Sequence, residues 1–500
     1  MFAANSSVTV TVFLFLNRHT SLVMKKTVLS ALLLAGAALS VTARDGYKIQ
    51  LKITEMKDTM VYLAHYYAKP LPTIYRTDSA YFDKNGVAVL ESKTKITGGI
   101  YIILPANKTT YFEFLLNNGD EMSMTANMKN LPTGVVFKNS PENERFLEYE
   151  TFLTDYGKKQ QALQAELAAA KTKADTAAVR EKGAKLGKEL TDYRTEYAQK
   201  HPSTLLANIF NALEMPQVPE GKHLLPNGKE DTMFAYHYFK DHYWDKFDFK
   251  DDRLIHTPIY DARLDEYFNK LVMQIPDSIE KEADMVLAKT KGTEELFKYT
   301  LTWLSANVQN SKVMGMDEAF VYLVENYYMK GDASWLDHAT LEKYIKRAGE
   351  IAPNVIGNLA PELTMIDINK KKHSISDIKS KYTLLLFWSP DCGVCQHEVP
   401  VLDSVYKAAL KAKGVTVYAV RTEGTEQQWQ DFIKKHDLGD WINVYDPEHT
   451  SNYRAQYDVY ATPVMYLLDE KKIIRGKRFD HANVLDVINF LENQGKTSAR

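Results

Sequence analysis

A chain of 500 residues, 45% hydrophobic and 25% charged, has the make-up of a soluble protein too long for one ordinary domain; at roughly 100–200 residues per domain it suggests about three. The formal net charge of −2 provides no general basic field and excludes nucleic acid as a partner on charge grounds. Beyond the N-terminus, no apolar run approaches the roughly 20 residues that a membrane-spanning helix needs.

Residues 1–43 read as a targeting segment. Lys25-Lys26 precede an apolar run from Thr27 to Leu39, and small residues follow up to Val41-Thr42-Ala43. Basic, apolar, then small-x-small is the order of a secretory signal with its cleavage site. Met24 stands directly before the lysines and is the expected natural start, with Arg44 the expected first residue of the mature chain. The competing reading is an uncleaved anchor helix, helped by a second apolar run from Val8 to Leu16. That anchor would be the chain's one contact with a membrane. No Cys follows the apolar run at the processing site, so a lipid anchor on a processed cysteine is excluded.

Residues 44–140 read as a β-sandwich-like domain. Short alternating runs, such as Lys48 to Ile53 and Met60 to Leu63, are separated by turn signals. Asn85-Gly86 reads as a hairpin turn, and Asn117-Asn118-Gly119-Asp120 as another. Strands at this spacing suggest a small sandwich. No catalytic constellation is visible there.

Residues 141–352 switch to helical periodicity and predict an all-α domain. Leu186, Leu190, Tyr193 and Tyr197 step by one helical turn and share a face. Pro202, Pro216, Pro219 and Pro226 cluster where one set of helices gives way to another. His237 and His242 point to different faces of a helix, which is poor geometry for a shared metal; no metal site is expected.

Residues 353–500 predict an α/β domain. Leu363 to Ile368, Thr383 to Trp388, Val415 to Val420, Val464 to Leu468 and Lys472 to Arg478 read as strands. Helices are expected from about Val399 to Leu410, over Glu426 to His436, and through Val484, Leu485, Ile488 and Leu491. Strands alternating with helices point to a parallel core covered on both sides.

The chain has only two cysteines, Cys392 and Cys395, in one C-x-x-C. An exported protein risks mispairing any spare thiol, so this usage fits cysteines that are chemical rather than structural. The pair sits in Phe387-Trp388-Ser389-Pro390-Asp391-Cys392-Gly393-Val394-Cys395, where a buried strand ends and a helix begins. A thiol at a helix N-terminus meets unpaired backbone N–H groups and the positive end of the helix dipole. Both favour the thiolate, the attacking species. Cys392, at the exposed start, is the expected nucleophile; Cys395, one turn in, is expected to resolve the mixed disulfide.

On these residues the segment from about 360 to 493 resembles the thioredoxin superfamily, specifically the cell-envelope branch related to the TlpA and ResA reductases. The strand-Trp-x-x-x-Cys-x-x-Cys start carries the likeness, together with Pro400 and the Thr462-Pro463 pair before a strand. An additional strand-helix unit resembles the insertion typical of that branch. The resemblance implies a cis bond at Thr462-Pro463, facing the cysteines and presenting the Thr462 backbone to a substrate. Leu386 stands where thioredoxins have a buried Asp. The envelope branch instead places a Glu after the next strand, a position Glu423 fits. Glu423 then reads either as a partly buried proton shuttle for Cys395 or as an exposed loop residue. His397 reads as a surface residue.

Asn139 to Phe146 closes the β-rich region. The order of β region, helical region and thioredoxin module resembles multi-domain envelope thiol–disulfide interchange proteins of some Gram-negative bacteria. That likeness gives residues 44–350 an architecture without a chemistry. The expected partners are disulfide-bearing envelope proteins and an upstream dithiol electron donor, the expected location is the periplasm or cell envelope, and no cofactor is called for. The alternatives are a thioredoxin-fold binding or scaffold protein, against which the intact pair argues, and a thiol peroxidase. The latter needs a Thr or Ser three residues before its Cys within a Pro-x-x-x-Thr/Ser-x-x-Cys arrangement, a pattern that Ser389-Pro390-Asp391 does not complete. A structural zinc site wants four ligands and has only two cysteines to draw on.

Overall fold

The computed structural model describes residues 44–498 apart from 107–109 and 132. The expected signal segment lies outside the described residues.

Alternation builds the first sheet. β1 (Tyr47–Ile53) buries Tyr47, Ile49, Leu51 and Ile53 and turns the residues between them to solvent. It lies antiparallel to β4 (Val87–Ser92) and parallel to β7 (Glu121–Ala126), and β8 (Val135–Lys138) closes the order β4-β1-β7-β8. The second sheet runs β3-β2-β5-β6, from β2 (Met60–His65), β3 (Tyr75–Tyr81), β5 (Gly99–Pro105) and β6 (Phe112–Leu116). Val61, Leu63, Tyr101, Ile103 and Phe114 of this sheet share one core with Ile49, Leu51 and Met124 of the first. The two sheets therefore form a sandwich.

The second sheet is covered on both faces along β2, β5 and β6, while β3 is largely exposed. Ile100 and Ile102 of β5 and Leu115 of β6 join the core of the helical region instead. This explains the unbroken apolar run of β5, since a strand covered on both sides has no polar face. The two turn signals behave differently from expectation. Asn85-Gly86 does make a tight turn, with the Asp83 N–H donating to the Val87 carbonyl at 2.9 Å. However, β3 and β4 belong to different sheets, as do β6 and β7 around Asn117 to Asp120. Both are corners where the chain crosses the sandwich, not hairpins. A turn dipeptide reports local backbone conformation and carries no information on which strand pairs with which.

The helical region comprises α1 (Pro141–Ala169), α2 (Lys173–Lys200), α3 (Leu205–Leu213), α4 (Phe234–Asp241), α5 (Tyr260–Glu266), α6 (Pro276–Thr290), α7 (Glu295–Gln309), α8 (Asp317–Leu323) and α9 (His338–Ile351). On α2, Leu186 and Tyr197 are buried, and Leu190 and Tyr193 pack against the same core. Pro216, Pro219 and Pro226 lie in the irregular stretch between α3 and α4. His237 and His242 are both exposed, and His242 pairs through Nδ1 with Asp245 at 2.6 Å.

The last sheet has the order β10-β9-β13-β12-β11-β14-β15. Its centre is β11 (Tyr382–Trp388), buried at every position. β12 (Val415–Arg421) lies parallel to it, and β13 (Ile442–Tyr445) parallel to β12. β14 (Val464–Asp469) and β15 (Ile474–Lys477) are antiparallel, as are β9 (Thr364–Ile366) and β10 (Lys372–Ser374). The expected parallel core is thus confined to three strands. The strand residues of β14 look like those of a parallel strand because both faces are covered, so composition did not reveal its direction. α10 (Gly393–Val405), α11 (Glu426–Lys435) and α13 (Val484–Ser498) contribute Val399, Leu402, Trp429, Val484 and Ile488 to the core on one face of this sheet, while Tyr453 of the short α12 (Tyr453–Gln456) packs in the core on the other.

Candidate active site

β11 ends at Trp388, a fully buried side chain that closes the strand. The chain then turns through Ser389, Pro390 and Asp391, and Cys392 becomes the N-cap of α10. Its sulfur takes the place of the usual Ser or Asp cap: the Cys395 N–H donates to the Cys392 Sγ at 3.2 Å. This satisfies one of the orphan donors of the first helical turn. The free pair has unequal surroundings, with Cys392 half-buried and Cys395 fully buried.

The difference in burial is also a difference in acidity. Desolvation pushes the Cys392 thiol up, but hydrogen bonds from the Cys395 and Thr462 side chains and from the backbone N–H groups of Cys395 and Val394 outweigh it. The thiol is held below its ordinary range. Burial, and next the hydrogen bond to Cys392, push the Cys395 thiol well above that range. The groups that lower Cys392 are hydrogen-bond donors rather than cations.

The loop before β14 faces the pair. The Thr462–Pro463 bond is cis, and the Cys392 S–H donates to the Thr462 carbonyl at 3.2 Å. Cys392, Cys395, Thr462 and Pro463 are therefore brought together. Pro400 lies inside α10, as the family likeness implied. Val394, 60% exposed, leaves an apolar side chain beside Cys392.

Glu423 is not buried beside the thiols. Its side chain is 68% exposed and pairs with Arg454 at 2.9 Å. The reason lies in its neighbours. The Thr422 N–H donates to the Trp388 carbonyl at 2.8 Å, and Gly424 takes a positive φ of 84°. A Cβ at Gly424 would stand 2.7 Å from Cγ of Pro390. The backbone itself packs against the active-site turn, and the Glu423 side chain is turned outward. The expected partial burial is corrected in favour of the exposed loop residue. Gly424 is the contact residue missed in the sequence, where a glycine just past a strand was the available signal. His397 is exposed, while Glu398 on the same helix accepts from His481, Nδ1 to Oε2 at 2.5 Å.

Three family models match. The AhpC/TSA family covers residues 356–477, a domain of unknown function (DUF5106) covers 174–354, and another (DUF4369) covers 47–146. The thioredoxin-like protein YneN of Bacillus subtilis is 32% identical over 120 residues, which are 24% of this chain and 68% of that protein. The chain belongs to the thioredoxin-like family. The thiol-disulfide oxidoreductase ResA of Bacillus cereus is 30% identical over 115 residues, which are 23% of this chain and 64% of ResA. A domain of a possible thiol-disulfide isomerase from Cytophaga hutchinsonii is 38% identical, covering 29% of this chain and 99% of that one, with a TM-score of 0.28. The thioredoxin-like part of the chain is of the thiol–disulfide oxidoreductase class.

Proposed function

We propose that Cys392 and Cys395 form a dithiol that reduces disulfides of exported proteins in the cell envelope. One observation carries the reading: an accessible thiol caps a helix N-terminus and faces the Thr462 carbonyl across the loop, while a buried thiol stands one turn behind it. The Cys392 thiolate attacks one sulfur of a substrate disulfide; that S–S bond breaks, the other substrate sulfur leaves as a thiolate, and a mixed disulfide forms. Cys395 loses its proton to solvent or to the departing thiolate and attacks the Cys392 Sγ. The second substrate sulfur leaves, and the enzyme ends as a Cys392–Cys395 disulfide. Two electrons have passed to the substrate, and an upstream dithiol donor returns them.

Thr462 and Pro463 serve as the edge on which the substrate backbone pairs as a short strand. The reducing direction draws on two features. Asp391, next to Cys392, is an exposed acidic residue, and the thiolate is favoured by hydrogen bonds alone. A strong oxidant needs a more heavily stabilised thiolate. Export rests on the Lys25-Lys26, apolar and Val41-Thr42-Ala43 series. In this reading the chain divides into a signal segment 1–43, a sandwich 44–140, a helical domain 141–352 and the redox domain 353–500. The first two folded parts carry no thiol chemistry, because they hold no cysteine.

Trapping tests the assignment. Cys395→Ser, incubated with a protein disulfide, accumulates a mixed disulfide because attack proceeds and resolution does not. Cys392→Ser forms none. The assignment is overturned if Cys392→Ser forms the adduct and Cys395→Ser is inert.

A further inference from the structure

A cavity of about 390 Å³ opens beside the active-site loop, lined by Tyr460, Ala461, Pro463, Arg478 and Phe479 of the redox domain and by Arg347 of the helical region. Pro463 is the residue after Thr462, whose carbonyl accepts from Cys392. The cavity therefore opens on the cis-proline loop, one residue along the chain from the carbonyl that Cys392 meets. Arg347 comes from α9, on a different part of the chain, and it is held there by design of the local charges. Its Nη2 donates to Asp458 Oδ2 at 2.9 Å, and its Nη1 donates to Oδ1 of the same carboxylate. Arg478 pairs with Oδ2 of the same carboxylate. Asp458 is fully buried, so two guanidinium groups converge on one carboxylate that solvent cannot reach.

The cavity wall offers groups to a ligand. Arg347 keeps 28% of its side chain exposed, and its guanidinium carbon lies 6.0 Å from the centre of the Tyr460 ring. Glu350, which also belongs to α9, pushes the Tyr460 hydroxyl above its ordinary range. Tyr460 is 64% exposed. An exposed flat ring and a guanidinium edge held by Asp458 suit an extended peptide, whose carbonyls accept hydrogen bonds and whose side chains lie on an aromatic face. A small disulfide that reaches Cys392 has no atoms to place there.

We propose that the helical region forms one wall of the substrate groove, with Arg347 and Tyr460 recognising the polypeptide segment that flanks the target disulfide. The proposal rests on the oxidoreductase reading and names its substrate class: protein disulfides in preference to small ones. It gives the helical region a part in specificity, although the region has no chemistry of its own.

The test uses the full chain and two substrates, insulin as a protein disulfide and oxidised glutathione as a small one. In Arg347→Ala, Asp458 keeps Arg478 as a partner, and a thermal melt reports whether the fold survives. The ratio of kcat/KM for insulin to kcat/KM for glutathione is expected to fall about tenfold, the scale of one lost charge-assisted hydrogen bond, mainly through KM for insulin. Tyr460→Ala, which removes an exposed ring and no buried charge, is expected to lower the same ratio. Arg347→Lys keeps the charge without the paired fork and is expected to recover only part of it. If both variants leave the ratio unchanged, or if both substrates are lost in equal measure, the proposal is overturned and the oxidoreductase reading stands. If the unaltered chain reduces neither substrate, the oxidoreductase reading falls and takes the proposal with it.

Discussion

The helical region meets its two neighbours in opposite ways. Toward the sandwich it shares a core: Ala64, Ile100, Ile102 and Leu115 of the second sheet belong to the same apolar cluster as Phe210, Leu254 and Leu301. Toward the redox domain the apolar clusters stay separate, and the seam is polar. Besides the Arg347–Asp458 pair, buried Lys477 pairs across the seam with Asp317 at 2.7 Å. An apolar seam is non-directional and is worth its buried area. A polar seam is worth little net but fixes orientation, since each donor must meet its acceptor. The sandwich and helices are thus expected to fold as one unit. The redox domain has its own core and is held at a set angle to that unit, which suits a groove built from both.

Truncation separates the two seams most sharply. Ile102→Ala removes a fully buried side chain from the shared core and is expected to cost about 2–5 kcal/mol. Chemical denaturation should show the sandwich and helices losing stability together. Arg347→Ala at the polar seam leaves the buried Asp458 with Arg478 as partner and is expected to cost about 1–3 kcal/mol, read as weaker docking of the redox domain rather than as a loss in the sandwich and helices. A loss confined to one side of the apolar seam, or a larger loss at the polar one, would undo the contrast.

Acid provides a gentler probe of the apolar seam. His256 stands there with its ring 3.9 Å from that of His65, and its Nδ1 lies 2.9 Å from the Thr97 carbonyl. Burial, and next the neighbouring His65, push the His256 imidazole down to about 3. Burial also lowers His65. The unfolded chain takes up a proton near the ordinary value of 6.5, whereas the folded chain does not. The stability tied to His256 is present in full above that value and is lost as pH falls from there towards 3. The slope approaches about 1.4 kcal/mol per pH unit for one such group. Urea unfolding at pH 7.5 and at about pH 5 should show the loss, and His256→Asn should reduce it. Equal losses in both chains would place the acid sensitivity elsewhere.

Much of the redox domain was legible in the sequence because its signals are local. The strand ending at Trp388, the cysteine spacing and the Thr462-Pro463 pair each occupy a short window, and the structure gathers Cys392, Cys395, Thr462 and Pro463 at one place. What escaped is set by contacts distant in sequence. Nothing around Glu423 shows that Gly424 packs on Pro390 and turns the carboxylate outward. Arg347 and Asp458 lie 111 positions apart, and neither stands in a motif. The direction of β14 and the sheet switching at Asn85-Gly86 failed for the same reason: local residues fix conformation, and partners fix topology.

The central claim is that two thiols one helical turn apart have been made unequal. Alkylation by iodoacetamide as a function of pH, with each site quantified by mass spectrometry on the reduced full chain, tests it most directly. Cys392 is expected to be modified first, with a midpoint below the roughly 8.5 of a free thiol, and Cys395 to stay unmodified through that range because it is buried and its thiol is pushed up. Modification of Cys395 first, or a common midpoint for the two, would contradict the account.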